Sequence, residues 1–210
     1  MLATITYLFD PLCGWCYGAT PALDKLASTI GIDLKLAPTG LFSGEGARPM
    51  DAEFATYAWS NDQRIARLSG QVFSDAYRRN CLLKAGVTFD SGPATLALSA
   101  VERSAPARER ETLKAIQNAR YVDGRDITKL SVLSEILHEL GLSEAADRVA
   151  APDESLLMTN RARIAEARAE MRQFGTAGVP ALLVGDERRR LVRANELFGD
   201  FDVLLAGLRA

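Results

Sequence analysis

Histidine is almost missing from this chain of 210 residues, which contains only His138. That leaves no multi-histidine metal site. His138 lies between Leu137 and Glu139 in a helical pattern and reads as a surface residue. Cysteine is scarce too: three residues are too few for a framework of structural disulfides. No stretch approaches the ~20 apolar residues of a membrane-spanning helix. Neither sign of charge dominates, with 25 basic residues against 27 acidic and a net charge of −2. Such balance gives no reason to expect nucleic acid or an anionic membrane surface as partner. The glycines near Gly44 form no phosphate-binding pattern, and there is neither an internal repeat nor a low-complexity tract. A strand pattern begins almost at Met1, with no basic segment and apolar run before it. A cytoplasmic location is therefore expected, where most thiols stay reduced and disulfides are usually catalytic or sensing. The scarcity of lysine beside arginine fits a GC-rich bacterial genome. The 48% of hydrophobic residues suffices for one buried core, with or without a subdomain.

What is present is one sharp motif, Cys13-Gly14-Trp15-Cys16. The run before it, Thr4-Ile5-Thr6-Tyr7-Leu8-Phe9, is rich in β-branched and aromatic residues and predicts a strand. After it, Ala19, Leu23, Leu26, Ala27 and Ile30 recur at helical spacing, with Pro21 predicting a kink. Cys13 thus falls at a strand-to-helix corner, where unpaired N–H groups and the helix dipole favour an anion. A free thiol titrates at about 8.5, and such a setting can lower that to roughly 3.5–7.5.

Further along, Ile32–Ala37 alternates with period two and ends at Pro38, predicting a second strand. Leu41 to Pro49 reads as a loop. From Asp51 to Phe174 the patterns are helical only: roughly Ala52–Leu68, Val72–Leu83, a helix opening at Gly92-Pro93, Glu109–Tyr121, a helix capped by Asp126 and closed by Gly141, a short one from Ser143, and Ser155–Phe174. Strand character returns at Val179–Val184, followed by a turn at Gly185-Asp186-Glu187 and a partner strand at Arg190-Leu191-Val192. Asn195 is expected to cap a last helix. The chain divides into a discontinuous sheet domain, 1–45 with 175–210, and a helical insertion, 46–174.

Pro180 stands within an apolar strand run. There it removes a ladder hydrogen bond, so it belongs at a strand's first residue or on an edge, or marks a cis bond. A CxxC at the start of the first helix, a helical insertion and a Val-Pro opening a later strand together resemble the thioredoxin fold in its DsbA-like branch. The run Tyr7-Leu8-Phe9-Asp10-Pro11-Leu12-Cys13-Gly14-Trp15-Cys16 is similar to the FrnE-like group of bacterial disulfide isomerases. The resemblance implies an α/β thioredoxin-like fold with a large all-helical insertion, and a cis Val179-Pro180 bond packed against the cysteines.

The expected activity is thiol–disulfide exchange on protein or peptide substrates. Cys13 is the nucleophile and Cys16 the resolving thiol; half a zinc site, or no chemistry, are the alternatives. Val179 offers its backbone to an extended substrate, in the manner of an added strand. Trp15 presents an apolar face to substrate or packs on the adjacent loop. Asp10 is either a turn residue or a proton shuttle for Cys16. Cys81 is expected to pack as a small hydrophobe, and Arg188-Arg189-Arg190 to form a solvated hairpin. No metal, flavin or nicotinamide site is expected; electrons would come from glutathione or a thioredoxin system. Two rivals remain. One is a glutathione-dependent enzyme like the kappa-class transferases or 2-hydroxychromene-2-carboxylate isomerases, which use one serine or cysteine at the corner. The other is a non-enzymatic redox sensor.

Overall fold

The computed structural model describes residues 3–186 and 188–209. Strand β1, Ala3–Phe9, lies inside a four-stranded sheet of order β2-β1-β5-β6. Its partner β2, Ile32–Pro38, is parallel, while β5, Ala181–Val184, and β6, Arg190–Arg193, join as an antiparallel pair. The two ends of the chain thus build one sheet. β1 and β5 are almost wholly buried, as central strands covered on both faces must be.

The first helical segment is broken in two, α1 at Gly14–Gly18 and α2 at Thr20–Ala27. Pro21 enters the first turn of α2, where its missing N–H leaves no bond unmade. The helices between the sheet's halves are α3 (Ala52–Ser69), α4 (Asp75–Tyr77), α5 (Gly92–Ser104), α6 (Glu109–Tyr121), α7 (Leu130–Glu139), α8 (Ser143–Ala150) and α9 (Glu154–Gln173). Ala167 and Met171 of α9 pack with Leu8, Ala181 and Leu183 against the sheet. A final helix α10, Phe201–Arg209, buries Leu204 and Leu208 in the main core.

Several local expectations need correction. Residues 70–74 are not helical, and the chain becomes helical only at Asp75, passing into a π turn over Arg78–Leu82. A short strand does occur within the helical region: β4, Thr88–Phe89, pairs with β3, Arg48–Pro49. Two residues are too few to show a period. Asp126 caps no helix; its carboxylate accepts from the Thr128 N–H and hydroxyl in the turn before α7. Asn195 lies in a 3₁₀ turn, and Asp200 takes the capping role, accepting from the N–H groups of Asp202 and Val203. Arg189 is not a solvated hairpin residue: it donates to Glu170 at 2.5 Å and to the Thr6 hydroxyl at 3.1 Å. Of the expected hairpin turn, Glu187 lies outside the described residues.

Candidate active site

The corner between β1 and α1 is assembled by hydrogen bonds local to the motif. The Asp10 carbonyl accepts from the Cys13 N–H at 3.0 Å, closing a turn around Pro11 and Leu12. The Tyr121 hydroxyl of α6 donates to the Leu12 carbonyl at 2.7 Å and pins the corner from the helical side. Tyr7 of β1 donates to the Cys16 carbonyl at 3.2 Å. Cys13 occupies the cap position of α1 with extended backbone, and Cys16 is inside the helix. The two differ in cover: Cys13 retains 6% of its surface and Cys16 only 1%.

Burial pushes the Cys16 thiol well above its ordinary value, and its hydrogen bond and like-charge interaction with Cys13 push it the same way. The Asp10 backbone N–H directed at Cys16 opposes this. Asp10 itself is fully buried. Its Oδ1 accepts from the Leu12 N–H at 2.9 Å, and its Oδ2 from the Ser91 hydroxyl at 2.7 Å and the Phe42 N–H at 3.1 Å. Burial raises the Asp10 carboxyl and these donors pull it back down, without cancelling the rise. Asp10 is therefore a turn residue by its Oδ1 and a buried acid by its environment.

The Val179–Pro180 bond is cis. The register of β1 on β5 pairs Leu8 with Ala181. One step beyond, Pro180 and Val179 run beside the end of β1. The Cys13 thiol donates to the Val179 carbonyl at 3.5 Å. Trp15 packs edge-on against Phe198 with centroids 5.2 Å apart, and the Arg64 guanidinium lies 5.6 Å over its ring. The same ring lines a cavity of about 210 Å³ that opens beside Cys13. Trp15 thus packs on its neighbour and keeps a face toward the cavity.

The sequence reading missed the cavity's helical wall, formed by Phe54, Tyr57 and Asp62 of α3, Tyr77, Phe89 of β4, and Tyr121. Asp62, 4% exposed, accepts from the Tyr77 hydroxyl at 2.9 Å. Burial raises its carboxyl to about 7 against the pull of Tyr77 and Arg120. Its Oδ1 stands 2.5 Å from where a Cβ on Gly14 would lie. Arg120 is 1% exposed, and none of its guanidinium nitrogens has a hydrogen-bond acceptor among the described residues. The rings of Tyr77, Phe89 and Tyr121 surround it at 5.2–5.7 Å. The signal for Asp62 was in the sequence: it shares a helix face with Ala55 and Ile65, which are buried.

Cys81 is buried and its thiol donates to the Arg125 carbonyl at 3.5 Å. His138 is half exposed, 3.8 Å from Asp147. Among the described residues no three His, Cys, Asp or Glu side chains gather as a metal site, and no helix is long and apolar enough to cross a membrane.

None of the curated proteins matches the chain. DsbM from Pseudomonas aeruginosa, a cytosolic disulfide reductase, is 35% identical, with 98% of this chain and 97% of that one aligned at a TM-score of 0.86. The same protein solved with glutathione aligns over the same shares, also at 35% identity, at 0.82. A 2-hydroxychromene-2-carboxylate isomerase shares the fold at 18% identity, with 98% and 94% of the two chains aligned at 0.64. The profile of the DSBA-like thioredoxin domain matches residues 4–203. The chain belongs to the DsbA-like thioredoxin-domain family of thiol–disulfide oxidoreductases.

Proposed function

We propose that the Cys13–Cys16 dithiol reduces disulfides of proteins or peptides in the cytoplasm and is itself re-reduced by glutathione. The observation that carries this reading is the placement of the two sulfurs. Cys13 sits at the head of α1 against the Val179 carbonyl, while Cys16 lies one turn deeper with its thiol held in the protonated form. The direction and the glutathione partner rest on the similarity to DsbM, a disulfide reductase also solved with glutathione.

In this scheme the Cys13 thiolate attacks a substrate disulfide, forming a mixed disulfide and releasing one substrate thiolate. Cys16 gives up its proton and attacks Cys13, releasing the second thiolate and leaving a Cys13–Cys16 disulfide. Two glutathione thiols then restore the dithiol and leave as glutathione disulfide. Asp10, beside Cys16, takes the Cys16 proton. Val179 and Pro180 present the edge along which an extended substrate lies, and Trp15 floors the neighbouring cavity. The division into a sheet domain, 1–45 with 175–210, and an insertion, 46–174, belongs to the same reading: the insertion supplies the cavity's far wall. A glutathione-dependent isomerase would use a single corner nucleophile, and Cys16 beneath Cys13 favours the dithiol route.

Cys16→Ser tests the division of roles. That variant should accumulate a stable mixed disulfide on Cys13 when given a disulfide peptide, seen as one added peptide mass. Cys13→Ser should accumulate none. An adduct that forms on Cys16 or Cys81 while Cys13 stays free contradicts the assignment.

A further inference from the structure

Each exchange releases a thiolate, and alkyl thiolates at neutral pH leave faster when a proton is supplied. Besides Cys13 the cavity is lined by the titratable groups Tyr57, Asp62, Tyr77 and Tyr121, of which the carboxyl is the strongest acid. Asp62 lines the same cavity as Cys13, is nearly closed off from solvent, and has one oxygen fixed by the Tyr77 hydroxyl. Its other oxygen is pressed against Gly14, the residue directly after the nucleophile. On this face of α3 its neighbours Ala55 and Ile65 are apolar, and the polar partners of Asp62 are the Tyr77 hydroxyl and, through charge, Arg120. The cavity's volume of about 210 Å³ suits a side-chain-sized thiol rather than a larger ligand.

We propose that Asp62 is a catalytic residue, the proton donor to the alkyl thiolate that leaves when Cys13 attacks a substrate disulfide. This rests on the dithiol reading of Cys13 and Cys16. In the step, a bond forms between Cys13 Sγ and the near substrate sulfur as the substrate's S–S bond breaks. The far sulfur departs into the cavity with the bonding electron pair and takes the Asp62 proton, becoming a neutral thiol. Asp62 is left as a carboxylate and regains a proton from water at the cavity mouth. No electron enters or leaves beyond the two exchanged between sulfurs.

The groups facing Asp62 are Tyr77 of α4, Arg120 and Tyr121 of α6, Cys13 at the corner, and Tyr57 on its own helix. Tyr77 and Arg120 both favour the carboxylate and burial opposes them, which leaves the group titrating at about 7. The acid form is the active one, so its contribution is present below that pH and fades above it.

The test compares two disulfides under single-turnover conditions from pH 5 to 9, using the reduced full chain. Hydroxyethyl disulfide releases an alkyl thiol that needs a proton; an aromatic nitrobenzoate disulfide releases a thiolate that does not. Their rate ratio cancels the ionisation of Cys13. In the wild type the alkyl-to-aromatic ratio should fall as pH rises through about 7. Asp62→Asn, which keeps an acceptor for Tyr77, should lower the alkyl rate at pH 6 by ~10-fold or more and flatten the ratio. Its aromatic rate should stay within about twofold, which also shows that the fold is intact. Tyr77→Phe removes a bond that favours the carboxylate, so the fall should move to higher pH. Equal slowing of both substrates in Asp62→Asn, or no slowing of either, overturns the proposal. If the wild type reacts with neither disulfide, the dithiol reading falls first and this proposal with it.

Discussion

At the scale of single residues, the motif's first intervening position is fixed by its surroundings. A side chain at Gly14 would meet Asp62 Oδ1 at 2.5 Å and Ile65 Cδ1 at 3.2 Å. Both are held by a packed helix, and Asp62 is further tied to Tyr77. Gly14→Ala should therefore destabilise the protein by about 1–3 kcal/mol, measured by urea denaturation. Asp62 itself should weaken the fold at alkaline pH. Its folded value of about 7 lies above the ordinary carboxylate value of 3.8, so the folded state holds a proton that the unfolded state has lost. Stability from this group is complete below about pH 4 and declines as pH rises through about 7. Asp62→Asn should abolish that decline and raise stability by more than about 1 kcal/mol at pH 8. An unchanged pH profile of unfolding would show that the carboxyl is ionised in the fold. Cys13, Cys16 and Pro180 were legible as a group because cysteine and proline are rare and their spacing is specific. Arg120 was not, and Asp62 only through its place on the helix face of Ala55 and Ile65. Reading a helix by its apolar period assigns charged residues to water, and tertiary packing is what buries Arg120.

At the scale of elements, the corner depends on a loop that other elements hold in place. Phe42, in the loop after β2, donates its N–H to Asp10, and Arg168 of α9 holds that loop by donating to the carbonyls of Thr39 and Gly40. Arg168→Ala should lower stability by about 1.5–3 kcal/mol, because two charge-assisted bonds to carbonyls are lost. It should also slow resolution of the mixed disulfide by Cys16, since Asp10 loses a fixed donor. A variant that resolves at the wild-type rate would separate the loop from the chemistry. Most elements could be read from the sequence where the pattern was long. Glu109–Tyr121 shows its apolar face as Leu113, Ile116 and Tyr121, and the structure starts and ends α6 at those bounds. Short elements could not be read. The β3–β4 pair has two residues per strand, and the π turn over Arg78–Leu82 follows no 3.6-residue period. Ser74 marks the true start of that segment, with its hydroxyl accepting from the Tyr77 N–H.

At the scale of the whole molecule, the fold brings together segments far apart in sequence. Cys13 follows β1 near one end of the chain, and the residue it touches, Val179, is 166 positions later. The helices between carry the cavity wall through Asp62, Tyr77 and Tyr121. The order of strand and helix patterns was enough to expect that closure, because only β5 and β6 could complete a sheet begun by β1 and β2. The sequence held no comparable sign of which helices would face Cys13, since helix-to-helix contacts depend on side-chain packing rather than on period. The third thiol is separate from this arrangement: Cys81 is buried, and burial pushes it up. Cys81→Ala should leave the redox behaviour of the pair unchanged while costing about 1 kcal/mol or less of stability.

The most direct test of the dithiol mechanism is the redox equilibrium of the full chain against glutathione, followed by thiol labelling and mass, with Cys13→Ser and Cys16→Ser alongside. The account predicts a reversible two-electron couple in which two of the three thiols disappear together, and which either substitution abolishes. A protein that forms no Cys13–Cys16 disulfide, or that stops at a stable glutathione adduct on Cys13, would contradict it.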